Sequence, residues 1–223
     1  MITLLLWRCP QCRTDGSMRA AKRPFGPATV QCTACSTRWL VRRVPGHDYR
    51  LRVIAGEAAL TGTELPLAEW YARLKAGLEL RPRPTGPLAL EPGEEAYACD
   101  EDVTLIVRRG TPLPPLGQDR RAPAAWPPRQ PRPEVWETVG RGHLCLTNRR
   151  LLWESPVGGY DFHWLTVRAV FGFVTVHMGI IYGDVAYRFQ PPKGTLLKWL
   201  TYSRLVAERL KEATGQSIAV PYY

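Results

Sequence analysis

The sequence predicts two β-rich modules in series: a small β module held by cysteines, then a mainly-β barrel of about seven antiparallel strands with a C-terminal helix. An amphipathic helix joins them. Three observations predict this: paired C-x2-C motifs near the start, apolar residues at helical spacing in "LAEWYARLKAGLEL", and apolar alternation from Glu91 onward. A chain of 223 residues suits one domain of ordinary size plus something smaller.

Residues 1–53 form the first module. "RCPQC" supplies Cys9 and Cys12, nineteen residues follow, and "QCTACSTRW" supplies Cys32 and Cys35. Two such pairs can each lend two thiolates to one tetrahedral Zn²⁺, so the spacing is that of a zinc ribbon. The alternative, a redox C-x-x-C, normally opens a helix in a βαβ unit, and that pattern is absent from the sequence around these pairs. Four sulfur ligands leave no open position for water, so one structural zinc ion is expected, not a catalytic one. A module this small should fold only as it binds metal.

The module is also strongly basic. The whole chain has a formal net charge of +10, and residues 1–53 hold ten Lys and Arg against Asp15 and Asp48, a net of +8. Such a surface favours an anionic partner. Arg19, Lys22, Arg23, Arg42 and Arg43 are its candidate contacts, and Trp7, Phe25, Trp39 and Tyr49 are candidates for stacking on nucleic-acid bases.

Residues 54–89 read as a linker carrying one helix, with Leu67, Trp70, Leu74 and Leu78 on one face, Tyr71 alongside, and Thr63 as a candidate cap. Its apolar face is expected to pack on a neighbouring domain.

The second module spans residues 90–215, with 216–223 as a tail. "EEAYACDEDVTLIVRRG" alternates as a strand. A proline-rich insertion, 111–133, follows with eight prolines and four arginines and must be a loop. Next come "WETVG", "GHLCLTN", "RRLLWES", "YDFHWLTVRAVFGF", "VTVHMGI" and "IYGDVAYRFQ" as short strands. The final helix carries Leu196, Trp199, Leu200, Ser203, Val206 and Leu210 on one side and Gly215 at its end. Cys99 and Cys145 lack a C-x-x-C partner and are expected as buried core thiols. The carboxylates of "GEEAY" and "CDEDV" are expected on a solvated edge. At Asn148-Arg149-Arg150 we expect a turn, with Asn148 suited to its backbone, one arginine pointing outward and the next starting a strand.

The stretch "GHLCLTNRRLLWES" resembles the GRAM and bacterial pleckstrin-homology signature, on Leu144, Leu146, Thr147, Asn148, Arg150, Leu151, Leu152 and Trp153. Ribbon, Trp70-Tyr71 helix and this module together, with Gly183-Asp184, are similar to the accessory region of some bacterial 1-acylglycerol-3-phosphate acyltransferases. The acyltransferase H-x4-D signature is absent: Arg52, Asn148, Arg168 and Tyr182 stand five positions after the four histidines. The sequence also lacks a nucleophile elbow, a P-loop, a zinc-protease motif and a dinucleotide fingerprint.

What the resemblance implies is a docking module for lipid headgroups or protein segments, and the missing catalytic signatures argue against an enzyme. The positions matching the family's basic strands and loop are Arg108, Arg109, Arg120, Arg121, Arg129 and Arg132. The preferred expectation is a non-catalytic protein binding an anionic membrane surface or a membrane-associated protein, with nucleic-acid binding through the ribbon as the alternative. No small-molecule substrate is expected. The start lacks a basic n-region, and Trp164–Gly183, though apolar, contains Arg168 and His177 and reads as two strands, not a span. These point to a cytoplasmic protein, peripheral on the membrane's inner face when docked.

Overall fold

The computed structural model describes residues 6–21, 27–45, 48–86, 88–109, 135–173, 177–192 and 196–220. It is mainly β, with two sheets and a C-terminal helix. The chain divides into two compact units, Met1–Leu80 with Lys193–Thr201, and Arg81–Pro192 with Tyr202–Tyr223.

The first unit holds an antiparallel meander: β1 (Met18–Ala21), β2 (Thr29–Cys32), β3 (Arg38–Arg43), β4 (Tyr49–Ala55) and β5 (Glu64–Pro66), hydrogen-bonded in that order. Strand alternation sorts its side chains. Met18, Val30, Trp39, Leu51 and Val53 are buried on one face, while Arg19, Arg42, Arg50 and Arg52 are exposed on the other. Residues 54–89 are therefore more than connection: Glu64–Pro66 ladders against Arg50–Arg52, and α1 (Leu67–Ala76) follows directly.

Because Glu64–Pro66 is extended, α1 starts at Leu67 with Pro66 before it, and Thr63 is not its cap. Leu67, Trp70 and Leu74 are its buried face, as their spacing predicts. The Trp70 indole donates to the Leu51 carbonyl at 3.1 Å and meets Trp39 edge-on, with centroids 6.1 Å apart, so the helix is pinned to β4 by a satisfied polar handle. Leu78 lies beyond Gly77, where the helix has ended.

The second unit holds β6 (Ala96–Arg109), β7 (Val135–Thr147), β8 (Arg150–Ser155), β9 (Gly158–His163), β10 (Val167–Phe173), β11 (His177–Tyr182) and β12 (Val185–Gln190). They form one seven-stranded antiparallel sheet in the order β10-β11-β12-β6-β7-β8-β9. Its edge strands, β9 and β10, are joined by residues 164–166 alone. A link that short spans only about 10 Å, so the sheet must curl until its edges approach. The curl encloses Val103, Leu105, Leu144, Leu146, Leu151, Trp153, Phe162, Ile180 and Phe189. Phe162 on β9 meets Tyr187 and Phe189 on β12 edge-on, at 4.7 and 5.6 Å between centroids, which are contacts across that interior.

The strand count agrees with expectation although some boundaries do not. "WETVG" and "GHLCLTN" are one long strand, because the register with β6 continues through bulges. "YDFHWLTVRAVFGF" is two strands, broken by the turn at 164–166. α2 (Leu196–Thr214) runs to Gly215, whose φ of 77° ends it. The tail turns back, and Ala219 pairs in parallel with β10, with Val170 N–H donating to its carbonyl at 2.8 Å. That contact covers an edge strand.

Cys99 and Cys145 are not free core thiols. They face each other across β6 and β7, with Cα atoms 4.2 Å apart, and form a disulfide. Their partnership depends on register, which residue spacing does not disclose. Among the described residues, no helix is long and apolar enough to cross a membrane.

Candidate metal centre

Cys9, Cys12, Cys32 and Cys35 converge, their sulfurs all within 4.8 Å of one another, and could hold a metal ion. Across the two turns, Cys9 lies 3.7 Å from Cys35 and Cys12 lies 3.6 Å from Cys32, sulfur to sulfur. Each turn therefore contributes to both sides of the cluster.

The two turns are built alike. The Gln11 and Cys12 amides point at the Cys9 sulfur from 3.4 and 3.5 Å, and the Ala34 and Cys35 amides point at the Cys32 sulfur from 3.3 and 3.5 Å. The residues after the second cysteines, Arg13 and Ser36, take φ of 59° and 60°. Thr14 and Thr37 then bring hydroxyls within 3.3 and 3.2 Å of Cys12 and Cys35. Their carbonyls accept from the Cys9 and Cys32 amides at 3.1 and 2.9 Å. Cysteine spacing did not single out these threonines, but the sequence carries the signal as a repeat, C-x-x-C-x-T at 9–14 and 32–37.

Amides aimed at sulfur favour thiolate over thiol. Burial opposes ionisation of Cys32, yet the Ser17 hydroxyl 3.2 Å away and the Cys35 and Ala34 amides outweigh it, and its thiol is lowered to about 6. Burial pushes the Cys9 thiol up. A bound cation would stabilise all four as thiolates. Beneath the turns, Trp7 and Trp39 are only 3% and 1% exposed. They are core side chains and cannot offer stacking faces to bases. Tyr49 is half-buried on the same side of its strand, and Phe25 lies outside the described residues.

The basic candidates divide. Arg19 and Arg42 sit on the exposed face of the first sheet. Arg42 is 3.6 Å from Glu64. Arg43 is opposite Tyr49, on the other side. In the second unit Arg109 ion-pairs with Glu137 at 2.8 Å, and Arg108 is opposite Trp136. Lys22, Arg23, Arg120, Arg121, Arg129 and Arg132 lie outside the described residues.

The "LTNRR" residues are committed to the fold. Asn148 does not serve through a left-handed backbone; its side chain accepts from the Glu95 amide at 3.0 Å and donates to the Gly93 carbonyl at 3.2 Å. Arg149 points outward and reaches Glu91 and the Pro92 carbonyl, each at 3.1 Å. Arg150 begins β8 and is buried against Glu94 and Asp161. Glu94, expected on a solvated edge, has a side chain with 0% exposure. Arg150 draws it inward, because a buried carboxylate needs a partner.

No protein-family model matches the chain, and no curated protein matches it.

Proposed function

We propose that the chain is a zinc ribbon followed by a pleckstrin-homology-like module, and that it works without catalysis as a docking protein for an anionic membrane surface. The observation that carries the proposal is the set of exposed arginines on one face of the first sheet, Arg19, Arg38, Arg42, Arg50 and Arg52, whereas Arg109, Arg149 and Arg150 in the second unit are ion-paired.

Zinc fits the cysteine cluster. Tetrahedral bonds of about 2.3 Å require sulfurs about 3.8 Å apart, close to the cross-pair separations. All four positions would be filled by protein, so the ion would hold the fold and leave no site for a reacting water. The pleckstrin-like reading is supported by the strand order, a four-stranded and a three-stranded meander meeting at β6 and β12, with a helix after the last strand. In that reading "LTNRRLLW" is a structural signature, because its polar residues hold the 91–95 loop.

The test is co-sedimentation of the zinc-loaded protein with neutral and with anionic liposomes, at low and at physiological salt, with a structured RNA as competitor. Binding to anionic liposomes that persists at physiological salt and resists RNA is the expected result. Protein that stays in solution, or leaves the liposomes for RNA, would overturn the membrane reading.

A further inference from the structure

The outer face of the first sheet brings together arginines that are distant in sequence. β1 contributes Arg19, β3 contributes Arg38 and Arg42, and β4 contributes Arg50 and Arg52. All five are exposed. Glu64, on β5, is the one carboxylate on the outward-facing strand positions, and it pairs with Arg42. Among the described residues, Arg38, Arg50 and Arg52 have no ion-pair partner.

The register makes this arrangement costly. Arg42 stands directly opposite Arg50, and like charges in that relation destabilise a sheet. Their repulsion is relieved when an anionic surface is brought against the face. Opposite the bulge between Arg38 and Trp39, Ile54 emerges beside Arg38 and Arg52, 42% exposed.

We infer that this face, carrying Arg19, Arg38, Arg42, Arg50 and Arg52 with Ile54 at one end, is the membrane contact, laid flat on anionic phospholipid headgroups. The inference rests on the docking proposal and gives it a location. Two features favour a lipid surface over a nucleic acid. The outward strand positions carry no aromatic side chain, so the face has no platform for bases. An exposed aliphatic side chain beside cations, as Ile54 is beside Arg38 and Arg52, suits the boundary between headgroups and acyl chains.

The experiment uses the full zinc-loaded chain and vesicles of phosphatidylcholine alone or mixed with phosphatidylglycerol. Wild type, Arg38→Gln/Arg50→Gln/Arg52→Gln and Arg108→Gln/Arg109→Gln are compared, with zinc content as the check on folding. The expected result is binding of wild type to the phosphatidylglycerol vesicles, a loss of roughly 100-fold in partitioning for the triple variant, and a much smaller loss for the Arg108/Arg109 variant. Should the triple variant lose zinc, the single variants R50Q and R52Q take its place, each expected to weaken binding roughly fivefold. Wild-type strength in a folded variant would overturn the assignment of the face while leaving membrane docking intact. Failure of wild type itself to bind would overturn both.

Discussion

Arg150 holds Glu94 through two hydrogen bonds, Nε to Oε1 at 2.9 Å and Nη2 to Oε2 at 2.8 Å. The pair joins the start of β8 to a loop 56 residues earlier. Around it, the Thr147 hydroxyl donates to Glu94 at 2.7 Å while accepting from the Arg149 and Arg150 amides, and Asp161 and Glu91 complete the shell of Arg150. A buried pair satisfied this fully holds its geometry, and removal of either member leaves an uncompensated charge.

Glu94→Gln should therefore destabilise the protein by about 3 kcal/mol. Burial raises the Glu94 pKa, but hydrogen bonds from Arg150, the Glu91 amide and Thr147 outweigh it and lower the carboxyl from 4.5 to about 2. A depressed folded-state pKa contributes stability that is complete above the unfolded value and is lost as pH falls toward the folded one. Urea unfolding across this range should show the gap between wild type and E94Q narrowing below pH 4.5. A gap independent of pH would show that Glu94 contributes by shape alone.

Withdrawal of metal should unfold β1 to β5 and leave the seven-stranded sheet standing. The core of the first unit is small, centred on Trp7, Trp39 and Trp70, and ribbon-sized modules draw about 10 kcal/mol or more from the bound ion. Amide chemical shifts of residues 29–43 before and after chelation report the outcome, and Cys32→Ser should reproduce the chelated spectrum. Unchanged shifts would remove the metal from the account of folding.

Two glycines separate contact from conformation. A Cβ on Gly142 would lie 2.1 Å from the Glu154 carbonyl oxygen, a backbone atom that cannot step aside, whereas one on Gly183 meets nothing within 4 Å. Gly183 has φ of 57° in the turn between β11 and β12, so alanine there incurs only the left-handed penalty. Gly142→Ala should destabilise by about 3 kcal/mol and Gly183→Ala by about 1 kcal/mol. Equal losses in urea titrations would refute the close approach of β7 to β8.

The Cys99–Cys145 bond is open to counting. Six cysteines are present and four are free, so denatured, chelated but unreduced protein should expose four thiols, and six after reduction. Cys99→Ala/Cys145→Ala should lose about 2 to 4 kcal/mol, since the bond closes a sequence separation of 46 residues. Six thiols before reduction would show the pair to be unbonded.

Local chemistry is what the sequence determined. Cysteine spacing located the four converging sulfurs, because a C-x-x-C turn sets two ligands within a few residues of chain. Apolar periodicity located α1, α2 and seven strands, because burial of one face is a local pattern. The strand boundaries at 135–147 and 158–173 escaped, since a bulge continues a strand and a short turn divides one without altering the alternation around it. Register and partnership were decided by the tertiary structure. Glu94 read as a solvated acid until Arg150 met it, Cys99 as a lone thiol until β7 aligned Cys145, and Arg50 as one basic residue of many until β3 set Arg42 opposite. Each outcome depends on which residues distant in the chain become neighbours, and pairing free energy across a sheet is absent from any one segment.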